Sequence, residues 1–291
     1  MTSRGHTGAV LMSESSLRDI SVAASAGPAI RSTPLFPSQP AVVSPAHFAR
    51  DGFLSIPALT TEADTEQIRA LLDPLFARFD TLGERAVDLA GPRAPGQPLR
   101  SPEINEALIL EPRLKNTLTY LRCREVARQL LGVPVGYQFD HAIFKAPQNR
   151  TPTAWHQDEA YSQEPIPLRS VHFWIPLQSV TQSNGCMWFI PGSHRGPLLP
   201  HRLLNSRTDG SNKAVSGGTL VTDNVDDSQA VACPLAIGGV TVHHPLTLHY
   251  TGANQSDSVR KAWIIHFGAY GWFRRRLHPK VLMSRLARSL P

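Results

Sequence analysis

Beyond Gly132 the chain becomes a succession of short apolar-alternating runs, each bounded by turn residues. They cover residues 136–145, 153–158, 170–177, 185–190, 229–234, 239–244, 246–251 and 260–269. Runs this short at this spacing are strands, and a series of them must close into a sandwich or barrel to bury its apolar faces. The expected fold is therefore mainly β with flanking helices, built on a double-stranded β-helix, the jelly roll of cupin-like proteins. The 25 prolines and 20 glycines fit a turn-rich β fold and exclude a helical bundle.

Upstream of the strand region the pattern differs. Residues 1–44 are rich in Ser, Ala, Gly and Pro without a sustained period and read as a mobile extension. From Pro45 to the C-terminus we expect one domain: a helical N-terminal part over 45–132, a jelly-roll core over 133–270 and a basic helix over 277–290. Gly52 stops a first short helix, and Phe53–Pro57 is a short edge strand. Thr60 or Thr61 caps a second helix carrying Ile68, Leu71, Leu72, Leu75 and Phe76 at helical spacing. Two more helices are predicted over Pro112–Leu121 and Arg124–Leu131. Residues 80–100 and 196–228 read as loops, the second long enough to serve as a lid or specificity loop.

Charge and cysteine content narrow the functional classes. The net charge is +6, yet the densest basic run is only Arg274-Arg275-Arg276, so no nucleic-acid partner is expected. The excess slightly favours an anionic small molecule. No apolar run reaches the ~18 residues of a membrane span, so no membrane partner is expected. Cys123, Cys186 and Cys233 are odd in number and lack ligand spacing, which suits a reducing, cytoplasmic compartment. Oligomeric state is left open.

The chemistry-bearing stretch is Trp155-His156-Gln157-Asp158. If it is extended, His156 and Asp158 share a face. A third donor is available in His249, which ends a strand, and Arg260 opens the strand that returns from it, so a hairpin would bring the two close together. Two histidines and one carboxylate form the facial triad of non-haem Fe(II) oxygenases, and a nearby arginine suits a co-substrate carboxylate. The same donors could hold zinc in a hydrolase, or persist in a non-catalytic metal-binding module. Adjacent His243 and His244 face opposite sides of a strand, so one belongs to the core or supports the ligands. His194 reads as a turn residue, while His172 and Arg169 are candidates for the substrate space.

The chain resembles the phytanoyl-CoA dioxygenase-like Fe(II)/2-oxoglutarate oxygenases. The resemblance rests on Phe48-Ala49-Arg50-Asp51-Gly52-Phe53, on Trp155-His156-Gln157-Asp158 and on the run from Asn184 to Arg195. It closes with His249, Gly252, Asn254, Ser256 and Arg260. It implies Fe(II) held by His156, Asp158 and His249, with 2-oxoglutarate and O2 as co-substrates. It also implies Arg260 paired with the far carboxylate of 2-oxoglutarate, Thr251 bonded to the same group where a serine is usual, and Trp174 beside it. Lys145 falls where such proteins often carry a basic residue, and Gly238-Gly239 replaces a common Gly-Asp pair. The implied reaction is hydroxylation of an unactivated carbon of an acyl-CoA, amino acid or secondary metabolite, with release of succinate and CO2. Desaturation or ring closure are variants of it. Halogenases of this type replace the ligand carboxylate by a small residue, and this chain keeps Asp158.

Overall fold

The computed structural model describes residues 43–91, 96–162, 169–204 and 219–269. The expected extension, apart from its last two residues, and the expected C-terminal helix lie outside them, as do Arg274–Arg276.

The chain opens with α1 (Pro45–Asp51), whose start is fixed by the Ser44 side chain accepting from the His47 N–H and whose end is Gly52 at φ 83°. A Cβ at Gly52 would stand 2.3 Å from the His194 ring and 2.6 Å from the Thr247 hydroxyl, so only glycine allows this approach. β1 (Phe53–Ile56) follows, then α2 (Glu62–Ala77), capped by Thr61. The region expected to be loop over 80–100 holds a 3-10 turn and β2 (Ala86–Asp88), which pairs with β3 (Pro102–Asn105). Both strands are too short for their alternation to be read.

A single turn, α3 (Ala107–Leu110), leads to a 3-10 segment over Pro112–Asn116 and then α4 (Leu118–Leu131). The two helices expected here are thus one 3-10 segment and one uninterrupted helix. The helix start lies at Thr117, whose hydroxyl accepts from the Tyr120 N–H.

The remaining strands are β4 (Val135–Lys145), β5 (Thr153–His156), β6 (Ser170–Pro176), β7 (Met187–Phe189), β8 (Arg202–Leu203) and β9 (Leu220–Val221). They continue with β10 (Val231–Cys233), β11 (Val240–His243), β12 (His249–Thr251) and β13 (Arg260–Ala269). β8 and β9 form a small ribbon inside the region expected to be loop.

A seven-stranded sheet runs β1-β11-β6-β13-β4-β3-β2, and a four-stranded sheet runs β10-β7-β12-β5. All their pairs are antiparallel. Strands β4, β6, β11 and β13 in one sheet and β5, β7, β10 and β12 in the other alternate along the chain except at β7 and β10, which pair with each other in the smaller sheet, and this is the jelly roll.

Two apolar layers flank the larger sheet. On its outer face Trp263, Ile265 and Phe267 pack with Ile68, Leu72, Leu75 and Val126 of α2 and α4. On its inner face Trp174, Ala262 and Ile264 meet Met187, Phe189 and Cys233 of the smaller sheet. Strand alternation sends the odd and even residues of β13 into different layers, so both read as apolar. The three cysteines are free and buried. Among the described residues no helix is long and apolar enough to cross a membrane.

Candidate active site

His156 ends β5, and its register partner His249 opens β12, so pairing within the smaller sheet sets the two imidazoles side by side, 4.1 Å apart between centroids and tilted by 51°. Asp158 is not in a strand. β5 stops at His156, and Asp158 begins a 3-10 turn over Asp158–Tyr161. The intervening Gln157 stays extended, at φ −122° and ψ 129°, which still carries the carboxylate to the histidines' side. Asp158 Oδ1 lies 3.5 Å from His156 Nε2 and 3.4 Å from His249 Nε2. One donor atom from each of the three lies within 4.8 Å of the others.

The donor set fits a divalent metal in a further respect. His156 Nδ1 donates to the Ala154 carbonyl at 2.8 Å, and His249 Nδ1 to the Thr247 carbonyl at 2.9 Å. With Nδ1 protonated, each ring turns its Nε2 lone pair toward Asp158, the tautomer a metal needs.

The other oxygen of Asp158 is occupied. Oδ2 accepts from His172 Nδ1 at 2.7 Å and from His243 Nε2 at 3.0 Å. The Asp158 carboxyl is held well below the usual carboxylate range: burial opposes ionisation, but His249, His156, His172 and His243 outweigh it. Burial and the nearby His249 push His243 down to about 3, so it supports the carboxylate as a neutral donor. His243 is thus the supporting member of the His243-His244 pair.

His243, His172 and His266 are successive register partners across β11, β6 and β13, and the His172 and His266 rings stack at 3.5 Å. His266 and His141 carry imidazole further, and the sequence reading missed both. Their signal is alternation: Phe139, His141 and Ile143 share one face of β4.

The same alternation sets Arg260, Ala262, Ile264 and His266 on one face of β13. Arg260 is the register partner of Lys145, so two buried cations end neighbouring strands side by side. Lys145 Nζ donates to the Thr251 hydroxyl and the Gly252 carbonyl, both at 3.0 Å. Arg260 Nε and Nη1 are buried without a hydrogen-bond partner, and its guanidinium lies 5.5 Å from the Trp174 ring. Burial pulls Arg260 down to about 10, and burial together with Arg260 drives Lys145 well below its ordinary value.

His249 and Arg260 are not joined by a hairpin as expected, because β12 and β13 belong to different sheets. Asn254 fastens the crossing segment: its amide donates to the carbonyls of Lys145, Ala146 and Ser258. Gly185 is set by the same crossing, since a Cβ there would stand 2.7 Å from the Gly252 carbonyl.

Beside the triad a cavity of about 750 Å³ reaches His156 and Asp158 and takes His172 and His266 into its wall. Glu84, Arg85 and Leu89 come to it from the 80–100 region and Thr219 from the 196–228 region. Arg169, a candidate for this space, instead donates to the Leu131 carbonyl. His194 packs in its turn with Nε2 donating to the Ala49 carbonyl, and His244 lies beside it at 5.5 Å.

The family model for phytanoyl-CoA dioxygenase (PhyH) matches residues 48–262. A probable phytanoyl-CoA dioxygenase of Caenorhabditis elegans is 30% identical over 153 residues, covering 49% of this chain and 46% of that protein. The peroxisomal phytanoyl-CoA dioxygenase of Rattus norvegicus is 25% identical over 239 residues, covering 76% and 66%. For most of the curated relatives it matches, the chain spans about half their length. The crystal structure of EvdO2 from Micromonospora carbonacea var. aurantiaca complexed with 2-oxoglutarate aligns with a TM-score of 0.65 at 32% identity, covering 79% of this chain and 93% of that one. A histidine–aspartate–histidine cluster carried by a jelly roll, together with a family match over most of the described chain, establishes that this chain belongs to the phytanoyl-CoA dioxygenase family of 2-oxoglutarate-dependent non-haem iron oxygenases.

Proposed function

We propose that the protein is an Fe(II)- and 2-oxoglutarate-dependent dioxygenase that hydroxylates an unactivated carbon of a small molecule, releasing succinate and CO2. In this reading His156, Asp158 and His249 hold the iron and Arg260 seats the far carboxylate of 2-oxoglutarate. Lys145, Thr251 and Trp174 complete that seat. Iron held by these residues would supply the activation of O2 that couples oxidation of the keto acid to that of the substrate.

The observation that carries the reading is the pair of buried cations. Arg260 has two unpartnered nitrogens, and among the described residues no carboxylate makes an ion pair with it or with Lys145. Burying two like charges without a counter-ion is costly. A dianionic co-substrate would remove that cost by supplying a carboxylate that both can bond. A zinc hydrolase with the same three donors leaves both cations unexplained.

The chain's own work would be positional. Two backbone carbonyls fix the imidazole tautomers, two imidazole N–H groups leave Asp158 only Oδ1 for a metal, and Trp174 covers the guanidinium. The substrate would enter through the cavity beside His156. Three reduced, buried cysteines are compatible with a cytoplasmic setting.

The test is anaerobic addition of Fe(II) and 2-oxoglutarate, followed by oxygen. A visible metal-to-keto-acid charge-transfer band and succinate release are expected. The band should be absent from His156→Ala and Asp158→Ala. Normal succinate formation by either variant would falsify the ligand assignment.

A further inference from the structure

The cavity's wall is chemically unlike the interior behind it. It is built largely on one face of the larger sheet, where alternation and register align Glu103 and Asn105 of β3 with His141 of β4 and His266 of β13. Among the described lining residues, four glutamates (Glu84, Glu103, Glu106 and Glu159) stand against a single basic side chain of the lysine–arginine type, Arg85. That one is engaged: Arg85 Nε bonds Glu106 at 3.1 Å. Among the described lining residues a multiply anionic thioester would find no lysine and only one arginine, Arg85, already paired, despite the chain's net charge of +6. Net charge is a property of the whole surface and does not by itself describe this wall.

The carboxylates best placed inside are already matched. Glu103 is hydrogen-bonded to His141 Nδ1, and Glu106 to Arg85. A cationic substrate would have to break such pairs. Hydroxyl groups would not, because each can donate to a carboxylate's spare lone pair and accept from a neighbouring N–H. Asn105 and Gln138 add amides, each with both donor and acceptor, to the same lining.

Aromatic faces complete the set. Tyr161 meets His156 edge-on at 6.3 Å between centroids, and its hydroxyl accepts from the Leu220 N–H, which fixes the ring beside the metal ligands and leaves its O–H free to donate. Phe139 lies in the lining near His141. A volume of about 750 Å³ is within the range of pockets that bury a drug-sized ligand, roughly 300–1,000 Å³.

We propose that this cavity takes a neutral, polyhydroxylated substrate, a glycoside, with the Glu103–His141 pair as its hydroxyl anchor and Tyr161 as a platform beside the metal ligands. The proposal rests on the oxygenase reading for what is done to the substrate, but its binding claim can be tested apart from turnover.

Saturation-transfer NMR on the full metal-free chain would compare three panels: neutral mono- to trisaccharide glycosides and glycosylated natural products, acyl-CoA thioesters, and polyamines. At least one glycoside is expected to bind, and no thioester. Its affinity should fall tenfold or more in both Glu103→Gln and His141→Gln; Asn105→Ala provides a third variant should either fail to fold. Binding of thioesters or polyamines alone, no glycoside binding, or glycoside binding that the variants retain would each overturn the proposal. The charge-transfer band of the wild-type protein separates the two claims. The band without glycoside binding sinks only the substrate class, and glycoside binding without the band sinks only the oxygenase reading.

Discussion

His172 donates Nδ1–H to Oδ2 of Asp158 at 2.7 Å, while Oδ1 of the same carboxylate faces His156 and His249. The carboxylate is therefore oriented before any metal arrives. Outer partners of this type hold a ligand in register, and their loss typically costs 10–100-fold in metal affinity or activity. His172→Ala is expected to weaken Fe(II) or Co(II) binding by about that factor, read by metal titration under nitrogen. His172→Asn, which keeps an N–H donor, should recover part of the loss. Unchanged affinity in the alanine variant would show that His243 alone suffices.

The Arg260 guanidinium presents Nε and Nη1 unpartnered in a buried setting. Removing the buried charged partner of a carboxylate costs about 2–5 kcal/mol. Arg260→Ala should thus raise the KM for 2-oxoglutarate by roughly 30-fold or more, with metal affinity little changed. Arg260→Lys should rescue poorly, because an ammonium lacks the planar fork. Steady-state kinetics with varied 2-oxoglutarate would decide; an unaltered KM would reassign the anchor to Lys145.

Lys145 gives a pH signature. Its pKa lies well below the ordinary 10.5, lowered by burial and then by Arg260. A bound dianion favours the ammonium and raises that pKa. Binding should therefore take up a proton at pH values between the free-state and bound-state pKa, and affinity should fall as pH rises across that window. Calorimetry in buffers of differing ionisation heat would show the uptake. Lys145→Met should abolish the buffer dependence, and a dependence that persisted would locate the proton elsewhere.

These residues differ in how openly the sequence displayed them. His156, Asp158, His249 and Arg260 sit in short motifs that are each weak alone, and it was their order along the chain, with the family resemblance that order carries, that singled them out. The imidazole row behind them could not be found that way. His172, His243 and His266 come from three strands, and only the register of β6, β11 and β13 unites them. Which strands pair, when they lie far apart in the chain, is a long-range property that a local pattern does not show. The hairpin expected between His249 and Arg260 failed for a related reason: a turn-rich segment looks the same whether it joins neighbours or crosses between sheets. β2 and β3 were hidden by brevity, and the break expected within Pro112–Leu131 placed a helix start before Thr117, where the cap shows it begins.

Asp64 provides a prediction about the support of the fold rather than its chemistry. It lies in the first turn of α2, yet its carboxylate caps the other long helix. Oδ1 accepts from the Leu118 N–H at 2.8 Å, and Oδ2 from the Thr119 N–H at 2.9 Å, the Thr119 hydroxyl at 2.6 Å and the Thr60 hydroxyl at 2.8 Å. The first two are orphan donors of the α4 N-terminus, where a negative charge is also favoured by the helix dipole. Asp64→Ala would leave them buried and unpaired at about 1–3 kcal/mol each, so a loss of about 3 kcal/mol in urea unfolding is expected. Asp64→Asn should cost less, because one carbonyl oxygen can still accept. The outer layer of α2 and α4 lies across the larger sheet from the metal donors. Below its lowered melting temperature, the alanine variant should therefore still give the Fe(II)–2-oxoglutarate band. If that band were lost while the protein remained folded, the two layers would be coupled, and α2 would be part of what positions β13.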